Sequence, residues 1–359
     1  MCGIAGCVGP DPRAGQVLDE ALTAIVHRGP DDVRVHVMGD VAMGMRRLSI
    51  IDLAGGRQPI SNEDGTITVV FNGEIYNYVE LRQDLLSRGH VLRTESDTEC
   101  LVHLYEDFGL DFPRRLRGMF AFAIHDTRTE RVVLGRDRFG KKPLHYAQWG
   151  RQLAFGSELK ALLPFAQALG HDLRVSDRSV YDYLSFGVVP QPRTIYESVS
   201  VLPPASVGVW DGRSFDVRPY WEPTFHPKAH LSTRDAQAEV RRLLRESVEL
   251  RLRSDVPVGV FLSGGVDSSV IAYEAAAQRG DTVHCFTVST GGALDESDVA
   301  KRTAQRLGVR HTVLPLAVDP LAGITTVVEH YDQPFADSSA IPSLLVARAA
   351  AEHVKVVLN

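Results

Sequence analysis

Up to about residue 160 the apolar positions come in short alternating runs broken by turn residues, the rhythm of β-strands. The runs fall at 41–51, 66–71, 119–125, 131–136 and 144–147. Two stretches switch to helical spacing, 78–89 and 97–108, the second opened by Ser96 and Asp97 as candidate caps. Strands interrupted by short helices predict an α+β layered domain. Five prolines between Pro203 and His230 predict a connector rather than a core element, and the domain boundary is set near residue 215. Beyond it the pattern alternates: helix 233–253, strand 258–262, helix 267–278, strand 283–289, helix 296–307, strand 311–315, two more helical stretches, and a buried strand at 354–358. That alternation predicts parallel βαβ units and an α/β doubly wound second domain. The expected division is 1–215 and 216–359.

Composition narrows the function classes. At 359 residues the chain suits two domains better than one core. With 44% hydrophobic and 23% charged residues it has the balance of a folded soluble protein. The 39 Lys and Arg against 45 Asp and Glu leave a formal charge of −6, no surplus for holding a nucleic acid backbone. No run approaches the roughly 20 apolar residues that cross a bilayer, and MCGIAGCVGPDPR has no signal-peptide pattern. The expectation is a cytoplasmic protein whose partners are small molecules, without nucleic acid or membrane; a homodimer is left open. Of the four cysteines, Cys7, Cys100 and Cys285 read as small buried hydrophobes.

Cys2 differs by position. Once the initiator Met is removed, its thiol and a free α-amine share one residue. With unperturbed values of about 8.5 and 7.7–8.0, the amine can take the thiol proton near neutrality, activating a nucleophile at the chain start. The motifs that follow add to this reading. MCGIAG, HRGPDD (27–32), RRLSIID (46–52), FNGEIYNY (71–78), ESDTE (95–99) and RDRFGKKPLHY (136–146) together resemble the class II glutamine amidotransferase domain, over residues 2–160. That family has the N-terminal nucleophile hydrolase fold, an αββα sandwich. The resemblance implies that Cys2 attacks the glutamine amide and that Asn72 with the Gly73 amide forms the oxyanion hole. Arg47 would pair with the glutamine α-carboxylate, and Glu74 and Asp97 with its α-ammonium. Leu48, Ile50, Ile51, Asn72 and Gly73 would line the same site, while Arg28 and Asp31 would order the loop over it. These roles suit the chemistry: a thioester route passes through oxyanions that need aimed donors, and a free amino acid needs one cation and one anion to hold its ends.

A second candidate site reads VGVFLSGGVDSS at 258–269, an apolar strand running into a Ser-Gly-Gly turn that opens a helix. Glycines let backbone N–H groups close on an anion, and the helix start adds partial positive charge. It is not the G-x-x-x-x-G-K-[ST] loop. SGGVDSS resembles the pyrophosphate loop of the N-type ATP pyrophosphatases, with Val266 where Leu is commoner. The resemblance implies that Ser263, Gly264, Gly265, Ser268 and Ser269 cradle the phosphates of ATP, that Asp267 holds Mg²⁺, and that Leu262 and Val288 border the nucleoside.

The two halves, with FGVVPQPRTIY (186–196), LDES (294–297) and DQPFADSSAIP (332–342), resemble the asparagine synthetase family along the whole chain. The implied reaction hydrolyses glutamine to glutamate and ammonia, activates the aspartate side-chain carboxylate as its adenylate with release of pyrophosphate, and lets ammonia displace AMP to give asparagine. Two alternatives stand beside it: a pathway-specific amidotransferase acting on another carboxylate, and a non-catalytic module that binds glutamine or ATP. The Gly-rich run at 287–297 departs from the family pattern and leaves the acceptor at aspartate by default. The family continues past VVLN into a second Gly-rich loop, so the synthetase half is expected to be C-terminally incomplete.

Overall fold

The computed structural model describes residues 2–289, 291–292, 295–315 and 320–359. Met1, whose removal frees the Cys2 amine, lies outside them, as do Thr290, Ala293 and Leu294 of the Gly-rich run. The chain forms two compact units, Met1–Pro223 with Tyr331–Ala336, and Thr224–His330 with Asp337–Asn359.

In the first unit two six-stranded sheets carry the core. One has the order Ser200–Val201, His145–Trp149, Gln152–Gly156, Gly3–Val8, Val41–Arg47, Asp32–Met38; the other Phe215–Pro219, Ser206–Trp210, Arg131–Arg136, Gly118–Asp126, Ile67–Ile75, Ile60–Ser61. Neighbours in both are antiparallel. Alternation sorts the side chains into layers, since successive residues of a strand face opposite ways. Ile4, Val8, Val41, Met43 and Met45 of the first sheet meet Val70, Ala121, Ala123, Val132 and Leu134 of the second in one shared layer. The opposite faces are covered by helices. Ala5, Cys7 and Ala42 pack under Leu18–Ala24 and Leu163–Leu169, and Val69, Phe71, Phe120 and Phe122 under Tyr78–Ser87 and Glu99–Phe108. Helix, sheet, sheet, helix is the αββα sandwich of the N-terminal nucleophile hydrolases.

Several elements differ from expectation. The strand expected over 41–51 stops at Arg47, because the Arg47 guanidinium gathers the carbonyls of Ile51, Asp52 and Leu53 into a loop. The strand expected over 66–71 runs on to Ile75; its polar continuation, Asn72 to Glu74, hid it from an apolar count. Gly3–Val8, Asp32–Met38 and Gln152–Gly156 were not expected as strands. In the first, Gly6 leaves room for the Phe155 ring, whose nearest atom would lie 2.4 Å from a Cβ there. The proline-rich region is not simply a connector. Between its prolines Ser206–Trp210 and Phe215–Pro219 extend the second sheet, with Trp210 fully buried, and the prolines stand outside or at the end of these strands, where no ladder N–H is lost. Helix Glu99–Phe108 has no side-chain cap, so neither Ser96 nor Asp97 plays that part.

The second unit holds a four-stranded parallel sheet in the order Arg310–Pro315, His284–Ser289, Val258–Phe261, Val356–Leu358. Val260 and Cys285 face Thr233–Arg251, Val266–Arg279 and Ser297–Leu307 on one side, while Phe261 and Phe286 face Ala340–Ala351 on the other. Helices on both faces make it doubly wound. Among the described residues no helix is long and apolar enough to cross a membrane.

Phe155 is wholly buried in the layer between the sheets. Phe155→Ala should destabilise the first unit by about 3–5 kcal/mol. Tryptophan fluorescence during denaturant unfolding reads this directly, since Trp149, Trp210 and Trp221 all lie in that unit.

Candidate functional site

The alternation that builds the inter-sheet layer also chooses what stands at its end. Ile4 faces the layer, so Cys2, two residues earlier, faces it too and packs against its edge. Met43 and Met45 lead to Arg47 on the same face; Val70 leads to Asn72 and Glu74. Three strands thus deliver a thiol, a guanidinium, an amide and a carboxylate into one space.

The Cys2 Sγ lies 3.7 Å from the Leu48 carbonyl oxygen and accepts from the Leu48 N–H at 3.4 Å. Burial pushes the thiol up; the Leu48 N–H and the fields of Lys142 and Arg47 pull it down without overcoming burial. The backbone around the thiol is held firmly. Arg28 Nε donates to the Cys2 carbonyl at 2.9 Å, and its Nη1 reaches Glu158 Oε1 at 2.8 Å. Burial pushes the Glu158 carboxyl up, but the hydrogen bond from His27 and the Arg28 charge outweigh it and hold it at about 2. Asp31 Oδ2 accepts from the Ser49 N–H at 2.9 Å, and the Asp31 N–H donates to the Arg47 carbonyl at 3.0 Å. Arg28 and Asp31 therefore order the surrounding loops, as expected.

Asn72 is fully buried, and neither its amide oxygen nor its amide nitrogen has a hydrogen-bond partner among the described residues. An unpaired buried amide costs about 1–3 kcal/mol, so it points to a ligand that completes it. At Gly73 a Cβ would meet the Met119 carbonyl oxygen at 2.2 Å, so only glycine fits. Arg47 is buried, with Nη2 donating to the Asp52 carbonyl at 2.7 Å. Asp97 Oδ2 accepts from the Ile75 N–H at 2.8 Å, one residue past Glu74. Burial raises the Asp97 carboxyl to about 6 despite that bond and those from Thr98. Ile51 is buried, and Leu48 and Ile50 are partly so.

In the second unit the strand order places Val258–Phe261 between one neighbour that follows it toward one edge and another, Val356–Leu358, toward the opposite edge. The loop at its carboxyl end is therefore at the switch point where open α/β sheets take ligands. Ser263 Oγ and Ser268 Oγ lie 2.8 Å apart, the Ser263 N–H donates to Ser268 Oγ at 3.1 Å, and Ser269 Oγ donates to the Gly265 carbonyl at 2.7 Å. The Gly264 N–H donates to Glu296 Oε2 at 2.9 Å, so an internal carboxylate already sits where an anion would. Asp267 is exposed on the first turn of Val266–Arg279, a hard oxygen donor of the kind Mg²⁺ takes. Leu262 is a core residue, and Val288 is partly buried.

Sequence reasoning singled out neither Glu158, the anchor of Arg28, nor the contact of Glu296 with the phosphate loop. It also gave no role to Lys142, buried near Glu74 and Cys2, although Lys142 stood within a quoted motif. A single buried charge in a sequence leaves no periodic signal.

The family profile described as glutamine amidotransferase domain matches residues 1–221, and that described as asparagine synthase matches 239–359. The glutamine-hydrolysing asparagine synthetase 1 of Bacillus subtilis is 38% identical over the whole chain. The protein named "Putative asparagine synthetase [glutamine-hydrolyzing] 2" of Methanocaldococcus jannaschii is 32% identical, and the whole chain covers 73% of it. The chain belongs to the asparagine synthetase family. It spans 57% of the length of the Bacillus synthetase. Among solved structures, one titled as the allosteric regulatory enzyme of purine biosynthesis aligns at 16% identity and a TM-score of 0.48, covering 87% of this chain and 80% of its own.

Asp97 makes stability depend on pH in a defined direction. Its folded value of about 6 exceeds its ordinary 3.8, so the folded state binds the proton more tightly than the unfolded state. The contribution is full below about pH 4 and is lost as pH rises through 6. Thermal unfolding from pH 4 to 7 should show this fall, and Asp97→Asn should flatten it.

Proposed function

We propose that the chain performs glutamine-dependent amidation of a carboxylate, with the first unit, expected as 1–215 and carried on to Pro223 by the strand Phe215–Pro219, as the glutaminase and the second as part of an ATP-dependent synthetase. The observation that carries the glutaminase half is the fully buried, unpaired Asn72 amide on the face it shares with Cys2 through the inter-sheet layer. In this reading the Cys2 thiolate attacks the glutamine amide carbon, its proton having passed to the α-amine exposed by removal of Met1. The Asn72 amide nitrogen and the Gly73 N–H receive the developing oxyanion. Ammonia leaves, and water releases glutamate from the thioester. Arg47 holds the α-carboxylate, Glu74 and Asp97 the α-ammonium, and Leu48, Ile50 and Ile51 enclose the side chain. The ligand's cation would supply the charge partner that a buried Asp97 carboxylate needs.

The synthetase half rests on the loop at the switch point. Ser263, Gly264, Gly265, Ser268 and Ser269 would cradle the phosphates, the Glu296 carboxylate yielding the Gly264 N–H to them. Leu262 and Val288 would border the nucleoside, Leu262 through its backbone because its side chain is in the core. Asp267 would hold Mg²⁺, which when bound neutralises phosphate charge. Aspartate as acceptor, an adenylate as the activated form and asparagine as product are the reading favoured by the family, acting in the cytoplasm. Another carboxylate acceptor remains the second reading, since the departure at 287–297 falls partly on residues outside those described.

Cys2→Ala should abolish glutamate release from glutamine while leaving the circular dichroism spectrum and thermal midpoint in place; substantial residual activity would remove Cys2 as nucleophile. Asn72→Ala should lower kcat by about 10²–10³ in the same assay. As pH falls through 6, KM for glutamine should rise, because protonated Asp97 no longer pairs with the α-ammonium.

A further inference from the structure

We propose that Glu63, His90, His103 and Glu106 form a zinc-binding site that fastens the glutaminase unit at a place separate from its substrate groups. One ligand atom from each of these four lies within 4.8 Å of every other. His103 Nδ1 is 3.1 Å from Glu106 Oε2 and 3.5 Å from Glu63 Oε2, and His90 Nδ1 is 3.6 Å from the same Glu106 oxygen. Tetrahedral zinc with bonds of about 2.0–2.1 Å needs ligand atoms about 3.3 Å apart. The cluster is already near that size.

The outer contacts favour a metal over a loose ion-pair group. His90 turns its Nε2 to Asp107 Oδ1 at 3.1 Å, leaving Nδ1 for the centre. His103 turns Nε2 toward Glu99 Oε1 at 4.0 Å, again with Nδ1 inward. The Asp107 carboxylate behind His90 fixes which of its nitrogens is free to coordinate and raises its basicity. The carboxylate ligands are tied as well: Asn62 Nδ2 donates to Glu106 Oε1 at 2.8 Å, and the Val91 N–H donates to Glu63 Oε1 at 2.9 Å. His90, Glu106 and Glu63 each keep one atom for the centre and spend the other on a fixed partner. Two imidazoles and two carboxylates suit zinc, and four protein ligands make a closed, structural site rather than a catalytic one.

The placement gives the site a purpose. Glu63 lies in the turn between Ile60–Ser61 and Ile67–Ile75, His90 follows helix Tyr78–Ser87, and His103 and Glu106 lie three residues apart on Glu99–Phe108. Zinc there would join three chain segments, among them the helix that begins two residues after Asp97 and the turn that leads into the strand bearing Asn72.

The test uses the full chain carrying Cys2→Ala, so that this thiol cannot compete, stripped with a chelator and titrated with Zn²⁺ alone. The expected result is one zinc per chain, a raised thermal midpoint, and an X-ray absorption signature of nitrogen and oxygen ligands without sulfur. Asp107→Asn should weaken zinc binding by about 10–100-fold, and Glu63→Gln, a change at an exposed position, should weaken it further with the apo fold unchanged. A folded, stripped protein that takes up no stoichiometric zinc, or whose zinc binding is unmoved by Glu63→Gln and Asp107→Asn, overturns the proposal.

Discussion

Two stacked sheets share a single layer of side chains, and the strict alternation of a β-strand determines which residues enter it. In the first unit this constraint organises everything else. The apolar members, Ile4, Met43, Met45 and Val70, exclude water from the middle of the layer. The next residues of like parity, Cys2, Arg47, Asn72 and Glu74, must then stand together at its end. A one-residue slip of any of these strands would send the polar group into the helix-facing layer and an apolar one into the site. The geometry of the candidate site and the packing of the core are therefore set by the same register, and neither can drift without the other.

That arrangement leaves charges in a poorly solvated place, and the way each is balanced differs. Arg28 and Glu158 are mutually paired, with His27 and Lys160 also at the carboxylate, and Arg28 Nε grips the Cys2 carbonyl. Arg47 spends its donors on backbone carbonyls, shaping the loop after its strand. Asp97, though hydrogen-bonded, carries a carboxyl raised by burial, and Asn72 an amide with no partner among the described residues. Sites store such deficits where a ligand is to repair them.

Much of this was legible in the chain. Strands rich in branched and aromatic residues, such as Arg131–Arg136, and the alternating elements of the second unit announced themselves by period, and the glycine turn after Val258–Phe261 by its chemistry. Gly3–Val8 did not, because GIAGCV is nearly all small residues and its strand state comes from partners on both sides. Ile67–Ile75 was shortened because Asn72, Gly73 and Glu74 break the apolar rhythm, and these are the residues the proposed reading assigns to the site. Glu158, Lys142 and Glu296 escaped because each acts through a contact distant in sequence, which no window along the chain contains.

The phosphate loop of the second unit has a further consequence of the same kind. Its Gly264 N–H is engaged by Glu296, from the turn that opens helix Ser297–Leu307. A carboxylate satisfies a backbone donor at low cost in the absence of ligand, but it is also a like charge to any phosphate that approaches. In the proposed reading a polyphosphate would displace Glu296 from the Gly264 N–H, since that donor is directed at one anion at a time, while Asp295 would keep the turn through Ser289 Oγ and the Gly291 and Ser297 N–H groups.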